Sequence, residues 1–176
     1  GKAVDVSSVL PDGGCLLPSG NDVMFDNRTH WMTDAEGGNY RVFAIDGSDA
    51  QRGDAMGENM IERYCTGNFL AGQRLIYASA SGLPVGRYIF KAVAQKGADG
   101  GVIELFANDG RSPVTSVKVL RGTEVATDVL DQDLTVGVES GLNNACQWVS
   151  FADVALEYQS PYMLLEEAVA ASDTLT

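Results

Sequence analysis

The strongest constraint on the fold is a run of short segments between Gln73 and Tyr158 in which apolar and polar residues alternate. They recur about every ten residues and are separated by turn sequences, which is typical of sandwiches and barrels. Side chains two residues apart lie on the same face of a strand, so each segment predicts one buried face and one solvated face. Because no strand alternates with a helix-length segment, a parallel sheet is not expected.

The predicted strands are 74–80, 87–95, 102–107, 114–120, 123–130, 134–139 and 148–158. Pro84 and Gly86 suit the second and fourth positions of a β-turn, so the first two strands are expected to form an antiparallel hairpin. Asn108-Asp109-Gly110 ends the third strand with a strong turn signal. In the last strand, alternation places Trp148 and Ala152 on the core side. The first seventy residues are rich in turn sequences, with short apolar runs such as Tyr40–Ile45 whose register the sequence leaves open.

The C-terminal segment changes character at Ser160-Pro161. Serine at the N-cap and proline at the first helical position predict a helix start, and apolar residues and glutamates follow. We therefore predict a sandwich domain over 1–159 and a helical tail over 160–176. The tail either packs on the sandwich or begins a helical segment that continues beyond Thr176.

The charge balance restricts the partners. The chain has 24 acidic and 12 basic residues, a net charge of −12, which repels nucleic-acid phosphates and anionic membranes. No apolar run reaches the length of a membrane span, so we expect no membrane insertion. The three cysteines, Cys15, Cys65 and Cys146, are expected to be buried thiols, with a Cys65–Cys146 disulfide as the alternative.

Several motifs in the second half resemble one family. They are Gly82-Leu83-Pro84-Val85-Gly86-Arg87-Tyr88, Phe106-Ala107-Asn108, Leu134-Thr135-Val136-Gly137 and Trp148-Val149-Ser150-Phe151-Ala152-Asp153-Val154-Ala155-Leu156. Over 73–158 the chain resembles the galactose-binding-like β-sandwich modules found in secreted multidomain proteins of Bacteroidetes. The first seventy residues match only through Asp5-Val6-Ser7-Ser8 and Trp31.

This resemblance implies an all-β, antiparallel jelly-roll β-sandwich. It also implies a glycan or polysaccharide ligand, further domains in a longer parent chain, and a secreted, periplasmic or cell-surface location. Many such modules hold one structural Ca²⁺, for which Asp153 is the candidate ligand here. The acidic residue stands one place later than in the family, where this chain has Ala152.

Candidate binding residues follow from how sugars are recognised, by aromatic faces that stack on C–H groups and by polar groups that orient hydroxyls. The candidate aromatic platforms are Trp31, Tyr40, Tyr64, Phe69, Tyr77 and Trp148. The densest mixture of aromatic and polar residues lies in the first third, and from it we predict the ligand-binding residues Arg28, His30, Trp31, Asp34, Glu36, Asn39, Tyr40 and Arg41.

Catalysis is not expected. His30 is the only histidine, and the chain lacks the sequence motifs of serine hydrolases, zinc proteases and nucleotide hydrolases. The sequence therefore predicts a non-catalytic carbohydrate-binding module. The alternative is a structural or adhesive spacer that contacts protein and has no sugar site.

Overall fold

The computed structural model describes residues 3–11, 23–24, 31–47, 51–65, 67, 69–142 and 148–174. The strands are β1 Val4–Asp5, β2 Val23–Met24, β3 Asn39–Ala44, β4 Asn59–Tyr64, β5 Arg74–Ala80, β6 Gly86–Lys96, β7 Ile103–Ala107, β8 Gly110–Pro113, β9 Arg121–Val129, β10 Leu134–Ser140 and β11 Trp148–Gln159. The helix α1 is Pro161–Thr174.

The strands form two antiparallel sheets. The larger sheet has the order β2-β3-β4-β11-β6-β9, with β1 beside β11, and the smaller has the order β5-β10-β7-β8. This architecture confirms the predicted all-β, antiparallel jelly-roll sandwich with a C-terminal helix. Where the sandwich domain ends and the tail begins stays a prediction.

The space between the sheets is filled by one large apolar cluster. At its centre the Trp31 ring lies 5.1 Å from Phe151, edge to face, and 6.2 Å from Phe90. Edge-to-face and tilted aromatic contacts at these separations add stability beyond the buried area. A smaller cluster, which includes Met60, Val93 and Ala152, lies on the outer face of the larger sheet.

The expected hairpin between β5 and β6 is wrong. β5 pairs with β10 in the smaller sheet, whereas β6 pairs with β9 and β11 in the larger one. The turn sequence around Pro84 does reverse the chain, but it carries β6 across to the other sheet. The hydroxyl of Tyr88 donates to the carbonyl oxygen of Pro84 at 2.8 Å and fixes this crossover.

Two other sequence predictions have different outcomes. Asn108 and Asp109 form the predicted tight turn between β7 and β8, with Asn108 in the left-handed region at φ 47°. The strand predicted over 114–120 is not formed. That segment makes isolated bridges through Val117 and Val119, and Lys118 between them has φ 59°, which interrupts an extended strand.

A β-bulge in β11 reverses its faces. The register with β6 shifts between Ala152 and Ala155, and Asp153 inside the bulge has φ 52°. Phe151 and Val154 both face the core, whereas Ala152 joins the cluster on the outer face. The prediction that Trp148 and Ala152 face the core is therefore wrong, because an extra residue shifts the side-chain alternation by one position.

The helix α1 begins as predicted. Ser160 caps it, since the Ser160 Oγ accepts a hydrogen bond from the amide of Met163 at 3.1 Å. Met163 and Leu164 are half-buried, and the rest of the helix with a described side chain is exposed. Within the described ranges, no helix combines the length and hydrophobicity that a membrane crossing requires.

Candidate functional site

The chain from Trp31 to Asp34 extends the smaller sheet at its β5 edge. Met32 and Tyr77 exchange two backbone hydrogen bonds, at 2.7 and 2.9 Å. The amide of Asp34 then donates to the carbonyl oxygen of Arg74 at 2.9 Å. This pairing brings Asp34 beside two residues that lie about forty positions away in the sequence.

A bulge in β5 places Arg74 and Tyr77 on the same side of the sheet. Glu139 pairs with Arg74 while the preceding Val138 pairs with Ile76, so Leu75 is the extra residue. Leu75 and Ile76 are consequently both buried in the core. Without the bulge, residues three apart on a strand would point to opposite faces.

Asp34, Arg74 and Tyr77 form a compact polar cluster. The Asp34 Oδ2 accepts from Arg74 Nε at 2.9 Å, and its Oδ1 accepts from the Tyr77 hydroxyl at 2.9 Å. The guanidinium carbon of Arg74 lies 4.2 Å from the centre of the Tyr77 ring, a cation–π contact. The side chains of Arg74 and Asp34 remain 42% and 41% exposed, so a ligand can reach them.

The Tyr77 phenol stays protonated at neutral pH. Partial burial and the hydrogen bond to Asp34 raise the pKa of Tyr77 above its ordinary value. The cluster therefore offers a carboxylate acceptor, a guanidinium donor and an aromatic ring at one place on the surface.

A half-open cavity of about 430 Å³ adjoins Asp34. Its lining comprises Asp34, Glu36, Cys65, Gly67, Phe69, Leu70 and Gln73. The volume lies within the range of small-molecule sites. We call the cluster and this cavity together the Asp34 site.

Arg63 holds the loop that carries Asp34 and Glu36. Its guanidinium, 2% exposed, uses all five N–H groups within the protein. The acceptors, at 2.6 to 3.0 Å, are Thr33 Oγ1 and the carbonyl oxygens of Ala35, Gly37, Asn39 and Tyr64. Burial lowers the pKa of Arg63, but its ordinary pKa is so high that the group stays charged.

Gly38 allows this loop to turn against β4. Its φ is +65°, and a Cβ at this position would lie 1.9 Å from the carbonyl oxygen of Tyr64. Only glycine fits both the backbone conformation and the close approach. The loop next contacts Cys65, a buried free thiol whose Sγ lies 3.9 Å from the Glu36 carbonyl oxygen. Burial raises the Cys65 pKa. Cys15 and Cys146 lie outside the described residues, so the alternative Cys65–Cys146 disulfide stays a prediction.

The structure separates the predicted binding residues into groups. Asp34 and Glu36 lie in the Asp34 site, whereas Asn39 and Arg41 lie on the opposite face of the molecule, outside the larger sheet. Arg28 and His30 fall outside the described residues.

The prediction that Trp31 and Tyr40 present their rings to a ligand is corrected by their burial. Trp31 is 0% exposed and Tyr40 is 6% exposed, and both belong to the core between the sheets. The Tyr40 hydroxyl donates to the Trp31 carbonyl oxygen at 2.5 Å, and burial raises its pKa. In this arrangement neither ring can stack on a sugar, because both faces are covered by the fold.

Asp153 has a structural task in the bulge of β11. Its carboxylate accepts from the amides of Met56 and Gly57, at 2.5 and 2.9 Å. Among the described residues there is no group of three or more His, Cys, Asp or Glu side chains that could hold a metal ion. The surroundings of Asp153 therefore do not supply the further carboxylates that Ca²⁺ sites usually contain, and the structural calcium stays a prediction.

Sequence reasoning missed Arg63 and Arg74, and it named Tyr77 only as one of six candidate aromatics. No local pattern marks these residues, because all their hydrogen-bond partners except Tyr64, the neighbour of Arg63, are 24 to 43 positions distant along the chain. The strand carries four consecutive apolar residues, Leu75-Ile76-Tyr77-Ala78, and this break in the alternation was the available sign of a bulge.

Comparison with known proteins identifies the fold. No protein-family model matches the chain, and no curated protein gives a significant match. Among solved structures, the Stig cyclase Fisc from Fischerella sp. TAU superposes with a TM-score of 0.63 at 15% identity, covering 90% of this chain and 99% of that one. TmCBM61 in complex with β-1,4-galactotriose gives 0.53 at 17% identity, covering 73% and 88%.

The CBM22-1 xylan-binding domain of Xyn10C from Paenibacillus barcinonensis gives a TM-score of 0.48 at 11% identity, covering 80% and 92%. Of these two carbohydrate-binding modules, TmCBM61 superposes closely enough to show a shared β-sandwich fold. The superpositions on the cyclase and on TmCBM61 show a shared fold, and at 15% and 17% identity they show the fold alone. The cyclase shows that this fold also occurs in an enzyme.

Proposed function

We propose that the chain is a non-catalytic carbohydrate-binding module and that the Asp34 site binds its glycan. The observation that carries the proposal is the three-membered cluster at the β5 edge. Asp34 and Arg74 present an acceptor and a donor side by side, within hydrogen-bond distance of each other, next to the ring of Tyr77.

The chemistry of this cluster suits neighbouring sugar hydroxyls. A carboxylate can accept from one hydroxyl while a guanidinium donates to the next, and charged groups make the stronger hydrogen bonds. The adjoining cavity combines the carboxylate of Glu36 and the amide of Gln73 with the apolar side chain of Leu70. This combination of few polar groups and apolar surface is usual for ligand pockets.

The resemblance to carbohydrate-binding modules supports the same ligand class by analogy of fold. One of the structures that the chain resembles holds β-1,4-galactotriose, and another is described as xylan-binding. Galactan and xylan are therefore the first polysaccharides to test. We further propose a secreted, periplasmic or cell-surface location and a longer multidomain parent chain, where such a module would raise the local concentration of its partners at the glycan.

The proposal is tested by affinity electrophoresis in gels that contain galactan, xylan or another polysaccharide, and by a glycan array, each with Ca²⁺ and with a chelator. Retardation by one polysaccharide class is expected for the wild type. Tyr77→Ala and Asp34→Ala should lose it, whereas Tyr77→Phe should lose only the part that depends on the hydroxyl.

Tyr162→Ala on α1 is the matched control, since this side chain is 70% exposed and its helix packs against β11 of the larger sheet. Retention that survives both Tyr77→Ala and Asp34→Ala contradicts the assignment of the site. If no polysaccharide retards the wild type, the alternative of a spacer that contacts protein is favoured.

A further inference from the structure

The outer face of the larger sheet carries a row of aromatic and polar side chains at one end. Asn39 on β3 pairs with Tyr64 on β4, which pairs with Trp148 on β11. All three are half-buried. Side chains directly opposite each other on adjacent antiparallel strands have Cβ atoms about 5 Å apart, so Tyr64 and Trp148 are immediate neighbours.

Trp148 lies flat on the sheet. A Cβ placed on Gly97 would lie 2.2 Å from Trp148 Nε1 and 2.5 Å from both Cδ1 and Cε2. Contact at three ring atoms means that one face of the indole covers Gly97. The opposite face of the ring is therefore turned away from the sheet, as in a stacking platform.

The next row along the same face is polar. Arg41, Glu62, Ser150 and Gln95 stand opposite one another on β3, β4, β11 and β6. Ser150 and Gln95 are both 0% exposed. Neither the Ser150 Oγ nor the Gln95 Oε1 has a hydrogen-bond partner among the described residues.

These two unpartnered atoms point to a ligand. A buried polar atom without a hydrogen bond destabilises the folded state, and native proteins keep few of them. Here two occur on directly paired residues, next to Trp148 along β11. The Gln95 Nε2 donates to a weak acceptor, Met60 Sδ, at 3.7 Å. The pair has the hydrogen-bonding capacity to hold one hydroxyl group.

We infer that this surface, the Trp148 face, is a second glycan-binding site. It is defined by Asn39, Arg41, Glu62, Tyr64, Gln95, Trp148 and Ser150. A pyranose ring stacks on Trp148 and Tyr64, and one of its hydroxyls reaches Ser150 and Gln95 when the half-buried side chains of the face turn aside. The ligand class rests on the proposed function, but the site is independent of the Asp34 site.

The Trp148 face and the Asp34 site share no residue, so each can be removed by its own substitutions. They are neighbours in sequence, because Cys65 of the Asp34 site directly follows Tyr64 of the Trp148 face.

The test compares the two sites in the same polysaccharide gels of galactan and xylan. Trp148→Ala and Tyr64→Ala should each weaken the retention, and so should Tyr77→Ala in the Asp34 site, while Tyr162→Ala should not. If Tyr77→Ala weakens retention and Trp148→Ala does not, the second site is wrong and the proposed function stands. If only Trp148→Ala and Tyr64→Ala act, the Trp148 face is the glycan site and the Asp34 assignment fails. If no gel retards the wild type, both proposals are overturned.

Two variants keep the inference testable if Trp148→Ala disturbs the fold. Ser150→Ala removes a hydroxyl that has no hydrogen-bond partner within the described part of the chain, so we expect an unchanged or higher thermal midpoint. We also expect about tenfold weaker affinity, which corresponds to about 1.4 kcal/mol. A lower midpoint, or unchanged affinity, would overturn the role given to Ser150.

Gly97→Ala tests the ring position. Gly97 is not among the glycines with positive φ, so alanine fits its backbone conformation, and the added methyl group must displace the indole. Retention should fall as it does for Trp148→Ala. Retention equal to that of the wild type would show that the ring position on Gly97 is not needed for binding.

Discussion

The carboxylate of Asp153 joins the bulge of β11 to Gly57, whose amide nitrogen lies 2.9 Å from Asp153 Oδ1. A Cβ at Gly57 would lie 2.7 Å from the same oxygen, so the loop approaches the bulge as closely as glycine allows. This contact ties the outer cluster around Ala152 to the loop that covers it.

We expect Asp153→Ala to destabilise the fold by about 2–4 kcal/mol. It leaves two amides without an acceptor and puts alanine at a φ of 52°. Asp153→Asn should cost less, because asparagine tolerates this conformation and keeps one acceptor. Urea unfolding curves measure both changes.

The same variants test the predicted calcium. If Asp153 only caps the loop, Asp153→Ala lowers the thermal midpoint equally with calcium and with EDTA. A calcium-dependent midpoint in the wild type that disappears in the variant would make Asp153 a metal ligand.

Substitution of the buried Arg63, which holds the loop from Thr33 to Asn39, should strongly reduce stability. Arg63→Lys keeps the charge but cannot reach five acceptors in a fixed fork, so we expect a loss of about 3 kcal/mol and weaker glycan binding. Arg87→Lys is the control, because Arg87 forms an exposed ion pair with Asp128 at 3.1 Å. Such pairs contribute about 0–1 kcal/mol. Equal effects of the two substitutions would contradict the anchoring role.

The core position of Trp31 predicts loss of stability rather than loss of ligand alone. Trp31→Ala should cost about 3–5 kcal/mol through the cavity between Phe90 and Phe151. Tyr40→Phe should cost about 1 kcal/mol by removing the hydrogen bond to Trp31. A Trp31→Ala variant with wild-type stability would restore the ring as a candidate binding platform.

The fall in thermal stability at alkaline pH should depend partly on the ionisation of Tyr77. Its pKa is raised in the folded state, so its stabilising contribution is complete below the unfolded pKa of about 10 and is lost as pH rises through the folded value. Tyr77→Phe should therefore reduce the fall in thermal midpoint above pH 10. The pKa values of the buried Tyr40 and Tyr88 are also raised, and both residues remain in the variant, so part of the alkaline fall in midpoint should persist. Identical alkaline profiles would show that Tyr77 titrates normally.

Removal of 160–176 should leave the sandwich folded. The helix contacts the sheets mainly through β11, and only Met163 and Leu164 are half-buried on it. We expect a loss of about 1 kcal/mol or less, which shifts the thermal midpoint by about 2–4 °C. A much larger shift would place α1 within the cooperative unit and contradict the predicted domain boundary.

Local patterns located most strands in the second half of the chain, although they missed β8 and predicted a strand over 114–120 that is not formed. The predicted strand over 74–80 matches β5. The strand predicted over 87–95 is one residue shorter than β6 at each end, and the strand predicted over 148–158 is one residue shorter than β11 at its C-terminal end. Alternation with a period of two is a strong signal when one face is buried.

Which strands pair, and which face of a strand is buried, were harder to predict from the sequence, because both depend on contacts between distant segments. The turn around Pro84 specifies a change of direction but not the sheet that receives the next strand. The orientation of Trp148 depends on one extra residue at Asp153. Likewise, the Asp34 site forms because Met32 pairs with the distant residue Tyr77. The sequence around Asp34 does not indicate that Arg74 will be its partner.

The contacts that Arg63 makes have a consequence for how this protein can diversify. Four of its five acceptors are backbone carbonyl oxygens, which every amino acid supplies. The shape of the loop from Thr33 to Asn39 is therefore largely insensitive to which side chains stand at positions 34 and 36. Substitutions at these two positions can therefore change which ligand the site prefers while the backbone of the loop stays the same. Arg63 thus lets the binding specificity evolve without loss of the fold.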